Sequence, residues 1–209
     1  MLADLTVKDF LDKVACSDPV PGGGSIAALN GAIASALAAM VANLTIGKKG
    51  YELHEELMRH VSGVALQQKG AFVEDIDRDS EAYNKVFACF KMPKATDEEK
   101  AARSAAIQEA TKFAALVPMQ VARNAYELMT VIMDIARMGN RNAVTDACVA
   151  MMSARSAVLG ALMNVRINLG SLKDKEFVSK LQSEADELEH LACAKEKELL
   201  DEINQELKV

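Results

Sequence analysis

Pro19-Val20-Pro21-Gly22-Gly23-Gly24-Ser25 opens a run that reaches Gly47 without one charged residue. A stretch of that length has to be shielded from water, and its character sets the architecture. Two prolines stiffen the approach, three glycines allow close backbone contacts, and Ser25 has the chemistry of a helix N-cap. The motif reads as a platform of backbone N–H groups at a helix start, where anions and polar ligand edges are held. The helix that follows spans 25–46 and stops at Gly47. About 20 apolar residues suffice to cross a bilayer, but this segment is Ala-rich and carries Asn30, Ser35, Asn43 and Thr45, the pattern of a buried bundle helix. Gly31, Ser35 and Ala39 recur every four residues and let a neighbour approach closely.

Helical signals continue on both sides. Thr6-x-x-Asp9 starts a short amphipathic helix with Val7, Phe10, Leu11 and Val14 on one side, expected to lid the glycine loop. A long helix is predicted over 51–91, ending at Lys91-Met92-Pro93. Thr96-x-x-Glu99 is a capping box for the next, predicted to reach 138 with a kink near Pro118, which lacks an N–H for the helical ladder. After Gly139-Asn140-Arg141-Asn142, a helix over 143–169 carries only Asp146, Arg155 and Arg166 as charges and is predicted to be buried. The last, 173–207, is heavily charged and reads as an outer helix. No alternating strand pattern appears. The expectation is an all-α bundle of long, partly buried helices, one domain over 1–209.

Bulk composition narrows the function. A net charge of -6 in 209 residues argues against nucleic acid or an anionic membrane as main partner. With no Trp and only 4% aromatics, the core has to be built from aliphatic residues and Met. Cys16, Cys89, Cys148 and Cys193 stand singly, and the N-terminus lacks a signal-peptide pattern, so a reducing cytoplasm is expected. No metal site is expected: Glu187-x-x-His190 occurs once, and His54-Glu55 is followed by His60 rather than by a zincin-spaced histidine.

Three sets of polar residues remain as candidates. The run Glu74-Asp75-Ile76-Asp77-Arg78-Asp79-Ser80-Glu81 suits a solvated face with Glu74–Arg78 and Glu81–Lys85 pairs. Asp75 and Asp79, however, share a face at i,i+4, where mutual repulsion would raise one pKa toward the range of a general base, with Tyr83 nearby and Asp77 pointing elsewhere. Lys48 and Lys49 follow a buried helix's C-terminus and suit either its dipole or an anionic ligand. Asp146, Arg155, Asn164, Arg166 and Asn168 either satisfy neighbouring helices or line a polar pocket.

The order of Pro21-Gly22-Gly23-Gly24-Ser25, Thr45-Ile46-Gly47-Lys48-Lys49, Asp77-Arg78-Asp79-Ser80-Glu81-Ala82-Tyr83, Met92-Pro93-Lys94, Gly139-Asn140, Asp146 and Asn164-Val165-Arg166-Ile167-Asn168-Leu169 resembles the cyclodeaminase part of the formiminotransferase-cyclodeaminase family, over nearly the whole chain. The resemblance implies an all-helical homodimer acting on folates, with a tetrahydrofolate derivative as substrate, no tightly bound cofactor, and a catalytic aspartate at Asp79. It implies formiminotetrahydrofolate cyclodeaminase activity, with methenyltetrahydrofolate cyclohydrolase or a non-catalytic folate-binding bundle as alternatives. On that basis Pro21, Gly22, Gly23, Gly24 and Ser25 are expected to hold polar ligand edges. Lys48 and Lys49 are expected to meet folate carboxylates, and Asp146, Asn164 and Asn168 to line the pocket.

Overall fold

The uncharged run becomes helix α2, Gly23–Asn43, and it begins before Ser25: Gly22 is the N-cap, in extended conformation, and Ser25 lies inside the first turn. Ser25 is fully buried and turned onto the neighbouring helix, so its hydroxyl makes tertiary contacts rather than a cap. The computed structural model describes residues 1–207 and, among these, contains helices and no strand. The other long elements are α1 (Val7–Val14), α3 (Glu55–Phe90), α4 (Asp97–Met138), α5 (Val144–Leu169) and α6 (Lys175–Glu206). Short 3₁₀ turns at Glu52–His54 and Arg141–Ala143 lead into α3 and α5, taking up residues 52–54 of the predicted third helix and Ala143 of the predicted fifth.

α2 and α5 form the centre, packed on each other and flanked by α3 and α4, as their shortage of charge predicts. Small side chains bring the backbones close. A Cβ added at Gly160 would sit 3.4 Å from Ala27 on α2, and one at Gly31 would come within 2.7 Å of the fully buried Phe72 of α3. By length and composition both central helices could cross a membrane, yet half or more of each such window is buried against the rest of the chain.

α4 carries the predicted capping box, with Thr96 and Glu99 each bonded to the other's backbone, and it runs unbroken through Pro118. The outer helix α6 is clipped to α4 and α5 by arginines. Arg123 grips Glu184 at 2.6 and 2.8 Å, Arg137 meets Glu198 and Glu202, Arg155 meets Glu196 at 2.7 Å, and Arg166 meets Asp186 and Glu189. The two arginines of α5 are thus explained by α6, leaving its asparagines for another role. α1 docks through Phe10, its one buried side chain, against α2 and α3. It contributes nothing to the cleft beside the glycine loop, so it is not the expected lid.

Candidate active site

A cleft of about 320 Å³ opens where the first turn of α2 meets the middle of α3 and the last turns of α5. Its floor is backbone: Gly22, Gly23 and Gly24, at a helix start whose first N–H groups have no partner within the helix. Asp79, Ala82, Tyr83 and Val86 supply one wall from a single face of α3. Asn164, Ile167 and Asn168 of α5, with Ala114 of α4, supply the other, and Pro19 and Val20 form the rim.

Asp79 is half-buried and sits against the N-terminus of α2. A Cβ built on Gly24 would lie inside its carboxyl group, so glycine at 24 is what lets the carboxyl reach the helix start. Ser25 Oγ donates to the Ile76 carbonyl at 2.8 Å and lies 3.3 Å from Asp79 Oδ2 and 3.2 Å from Ser80 Oγ; its single proton serves one acceptor at a time. Burial pushes the Asp79 pKa above its ordinary value, opposed by the Ser25 hydroxyl and backbone N–H, which favour the carboxylate. The result is a carboxyl group brought toward neutrality, the condition for giving and taking protons.

Desolvation, not repulsion from Asp75, is the cause. Asp75 is itself buried and raised first by burial, with Arg78 at 3.5 Å acting in the opposite direction; Glu74 and Asp79 add smaller upward pushes, so the expected repulsion between the two aspartates acts on Asp75. The Glu74–Arg78 pair of the solvated-face reading is replaced by this one. Asp77 points away, as expected, and accepts from the N–H groups of Leu2 and Ala3 at 2.7 and 3.4 Å.

Across the cleft, Asn164 Nδ2 donates to its own helix at Gly160 O, 2.8 Å away, and lies 3.2 Å from where a Cβ of Gly23 would stand. Asn168 Nδ2 donates to Asn164 O at 2.9 Å and to Ala114 O at 3.0 Å. Asn168 meets both expectations, tying α5 to α4 and lining the cleft, whereas Asn164 lines the cleft and bonds only within its own helix.

The remaining candidates are not in it. Pro21, after a cis Val20–Pro21 bond, is buried outside the lining, and so is Ser25, whose hydroxyl is turned onto α3. Lys48 follows the far end of α2, about 30 Å from the glycine floor at the helical rise of 1.5 Å per residue. There its Nζ donates to Asn140 Oδ1 at 2.7 Å, lies over the Tyr51 ring, and ties the end of α2 to the turn between α4 and α5. Lys49 is exposed beside it. Asp146, in the first turn of α5, is about 27 Å along that helix from Asn164 by the same rise. A motif adjacent to a long helix in sequence has been carried to the opposite end of the bundle. Conversely, Tyr83, Val86, Ala114 and Ile167 line the cleft but were not among the sequence candidates for ligand contact; the i, i+3, i+4, i+7 spacing from Asp79 gives Ala82, Tyr83 and Val86 a signal that could have found them. Among the described residues, no three His, Cys, Asp or Glu side chains converge as a metal site would require.

These features define an all-helical protein with a small-ligand cleft built around one desolvated carboxyl group at a helix N-terminus. The chain belongs to the formiminotransferase-cyclodeaminase family, whose model matches residues 6–187. It is 40% identical over 188 residues to a methenyltetrahydrofolate cyclohydrolase of Methylorubrum extorquens, covering 90% of each chain. It is 31% identical over 179 residues to the formimidoyltransferase-cyclodeaminase of Rattus norvegicus, where the match takes in 86% of this chain but 33% of that protein. The fold matches the crystal structure of a formiminotetrahydrofolate cyclodeaminase from Thermotoga maritima, with a TM-score of 0.85, 32% identity, and coverage of 97% and 99% of the two chains.

Proposed function

We propose that the chain is an enzyme of folate one-carbon metabolism that works on the carbon bridging N5 and N10 of tetrahydrofolate, with Asp79 as its proton carrier. The observation that carries this reading is the carboxyl group itself, desolvated, held at the start of α2 and facing a cleft with amides opposite. The family and both kinds of relative support the substrate class.

Two reactions fit, because both pass through a tetrahedral carbon bonded to N5, N10 and one further heteroatom. In the cyclodeaminase reaction, the one the family resemblance puts first, N10 attacks the formimino carbon on N5, Asp79 takes the N10 proton, and a proton is delivered to the departing ammonia. In the cyclohydrolase reaction, Asp79 takes a proton from water as its oxygen adds to the methenyl carbon, and a proton is returned to the ring nitrogen as its bond to that carbon breaks. The second reading is favoured by the 40% identity spread over nine-tenths of both chains. Either use of one positioned carboxyl group is worth roughly 10²- to 10⁴-fold.

The substrate lies with its polar ring edges on the free N–H groups of Gly23 and Gly24 and on the asparagine amides, its aryl ring leaving past Tyr83 toward Phe87. Tyr83 and Phe87 are stacked and exposed, and Tyr83 also borders the adjoining hollow that contains Phe87. No tightly bound cofactor, nucleic acid or membrane enters this reading, and the compartment is the cytoplasm, in keeping with four free cysteines. The partner is a second copy of the chain. α2 carries no charge and α5 only Asp146, Arg155 and Arg166, and Ile33, Met40, Val149, Met152 and Met163 remain exposed on faces that another apolar surface would cover.

The deciding assay supplies 5-formiminotetrahydrofolate and, separately, 5,10-methenyltetrahydrofolate, and follows methenyl absorbance and ammonia. Rising absorbance with ammonia is the cyclodeaminase result, and accelerated loss of absorbance without ammonia is the cyclohydrolase result. No acceleration of either refutes the enzymatic reading.

A further inference from the structure

Pro118 lies in the interior of α4, where a proline is costly, and four residues ahead of it the Ala114 carbonyl has no ladder N–H to accept. That carbonyl is at the cleft wall, and Asn168 of α5 reaches across to donate to it at 3.0 Å. The second hydrogen of the same Nδ2 goes to Asn164 O at 2.9 Å. Both partners are carbonyl oxygens, which can only accept, so the amide has one orientation. Its nitrogen is committed to the helices and its Oδ1, a bare acceptor, is left on a residue that lines the cleft.

We propose that Pro118 is a positioning residue for ligand specificity: by withholding its N–H from Ala114 it locks the Asn168 amide so that the cleft presents an obligate acceptor for a ligand N–H. The inference rests on the folate reading for its ligand, since a reduced pterin ring offers N–H donors along its edge. An acceptor that cannot flip prefers such a donor and rejects a ring edge bearing a lone pair, which would face Oδ1 unpaired. The link among Pro118, Ala114 and Asn168 stands independently of what the ligand is.

The test is a cycle of Pro118→Ala, Asn168→Ala and the double variant, each read by thermal unfolding and by calorimetric binding of 5-formyltetrahydrofolate. Pro118→Ala restores the ladder bond and removes a helix-breaking ring, so it unfolds at or above the parent temperature. With Ala114 O satisfied within α4, the bond across from Asn168 is no longer obligatory and the amide is held mainly by Asn164 O on its own helix, so binding weakens by roughly fivefold, the worth of one neutral hydrogen bond. Asn168→Ala lowers both stability and affinity, because it strands the carbonyl and removes the acceptor. Adding Pro118→Ala to it returns stability without returning affinity. In turnover, the Pro118→Ala effect is a raised KM with kcat nearly unchanged, which a merely structural role would not produce in a protein of undiminished stability.

Undiminished affinity in Pro118→Ala overturns the proposal, as does a double variant no more stable than Asn168→Ala alone. If the parent itself does not bind the folate, the functional reading fails, and the unfolding cycle still decides whether Pro118 and Asn168 are coupled through Ala114.

Discussion

Replacing Asp79 by asparagine separates catalysis from stability because the two should move in opposite directions. Asparagine keeps the size of the side chain and an oxygen to accept from Ser25, but it cannot carry the proton. Turnover should therefore fall by roughly 10²- to 10⁴-fold, the contribution of one positioned acid–base group. The stability sign follows from burial. The folded-state pKa of Asp79 lies above the ordinary 3.8, so folding favours its neutral form. Its contribution to stability is fully present below the unfolded value and is lost as pH rises through the folded pKa. The uncharged amide of the variant suffers no such loss. At pH 7 the variant should unfold at the parent temperature or higher, and the gap should close as pH falls below the ordinary carboxylate range. Asp77→Asn is the counterpart: it weakens the acceptor for Leu2 N–H and Ala3 N–H, costing about 1 kcal/mol as lost caps do, with turnover near that of the parent. The assay is steady-state turnover beside unfolding scans from pH 3 to 8. An Asp79→Asn enzyme that turns over like the parent, or that loses activity only because it has unfolded at pH 7, would refute the assignment of the proton carrier.

Gly24→Ala places a methyl group where the Asp79 carboxyl sits, and a displacement of about 1 Å should cost on the order of 10²-fold in turnover, measured with the fold verified by circular dichroism; unchanged kinetics would mean that the carboxyl need not touch the helix start. Lys48→Met removes the bond to Asn140 and should cost about 1 kcal/mol of stability for a half-exposed charged hydrogen bond, while binding of mono- and polyglutamylated folate stays equal to the parent. A selective loss for the polyglutamate would return that lysine to the ligand's tail. Met40→Glu puts a charge on the exposed apolar face of α2, and sedimentation should show a lighter species than the parent; identical mass would remove that face from the proposed dimer contact.

The sequence was most legible where one physical demand dominated. A run from Pro19 to Gly47 with no charge, and a second long segment interrupted only by Asp146, Arg155 and Arg166, leave little choice but two central helices. Thr96-x-x-Glu99 likewise started α4 at the residue expected. Ser25 misled because a serine after glycines has two ways to use its hydroxyl. Only the approach of Ile76, Asp79 and Ser80, 51 to 55 residues on, decides that it turns inward. Lys48, Lys49 and Asp146 misled for a geometric reason: order along the chain does not show which end of an antiparallel bundle a loop occupies. Asp79, Asn164 and Asn168 did converge, as the family resemblance implied. What sequence reading could not supply was Ala114, a residue with no chemistry of its own, made important by a proline four positions later and an asparagine on another helix.

A cleft floored by three glycines has a particular bearing on how such a site can change. The floor presents main-chain atoms, which no substitution alters in kind, and a Cβ added there would overlap Asp79 at Gly24 or crowd Asn164 at Gly23 and the Pro19 carbonyl at Gly22. Changes in substrate preference therefore fall to side chains outside the floor, such as Tyr83, Val86 and Ile167 on the cleft walls. The end of the cleft beside Asp79 is fixed by backbone, and its walls are open to redesign.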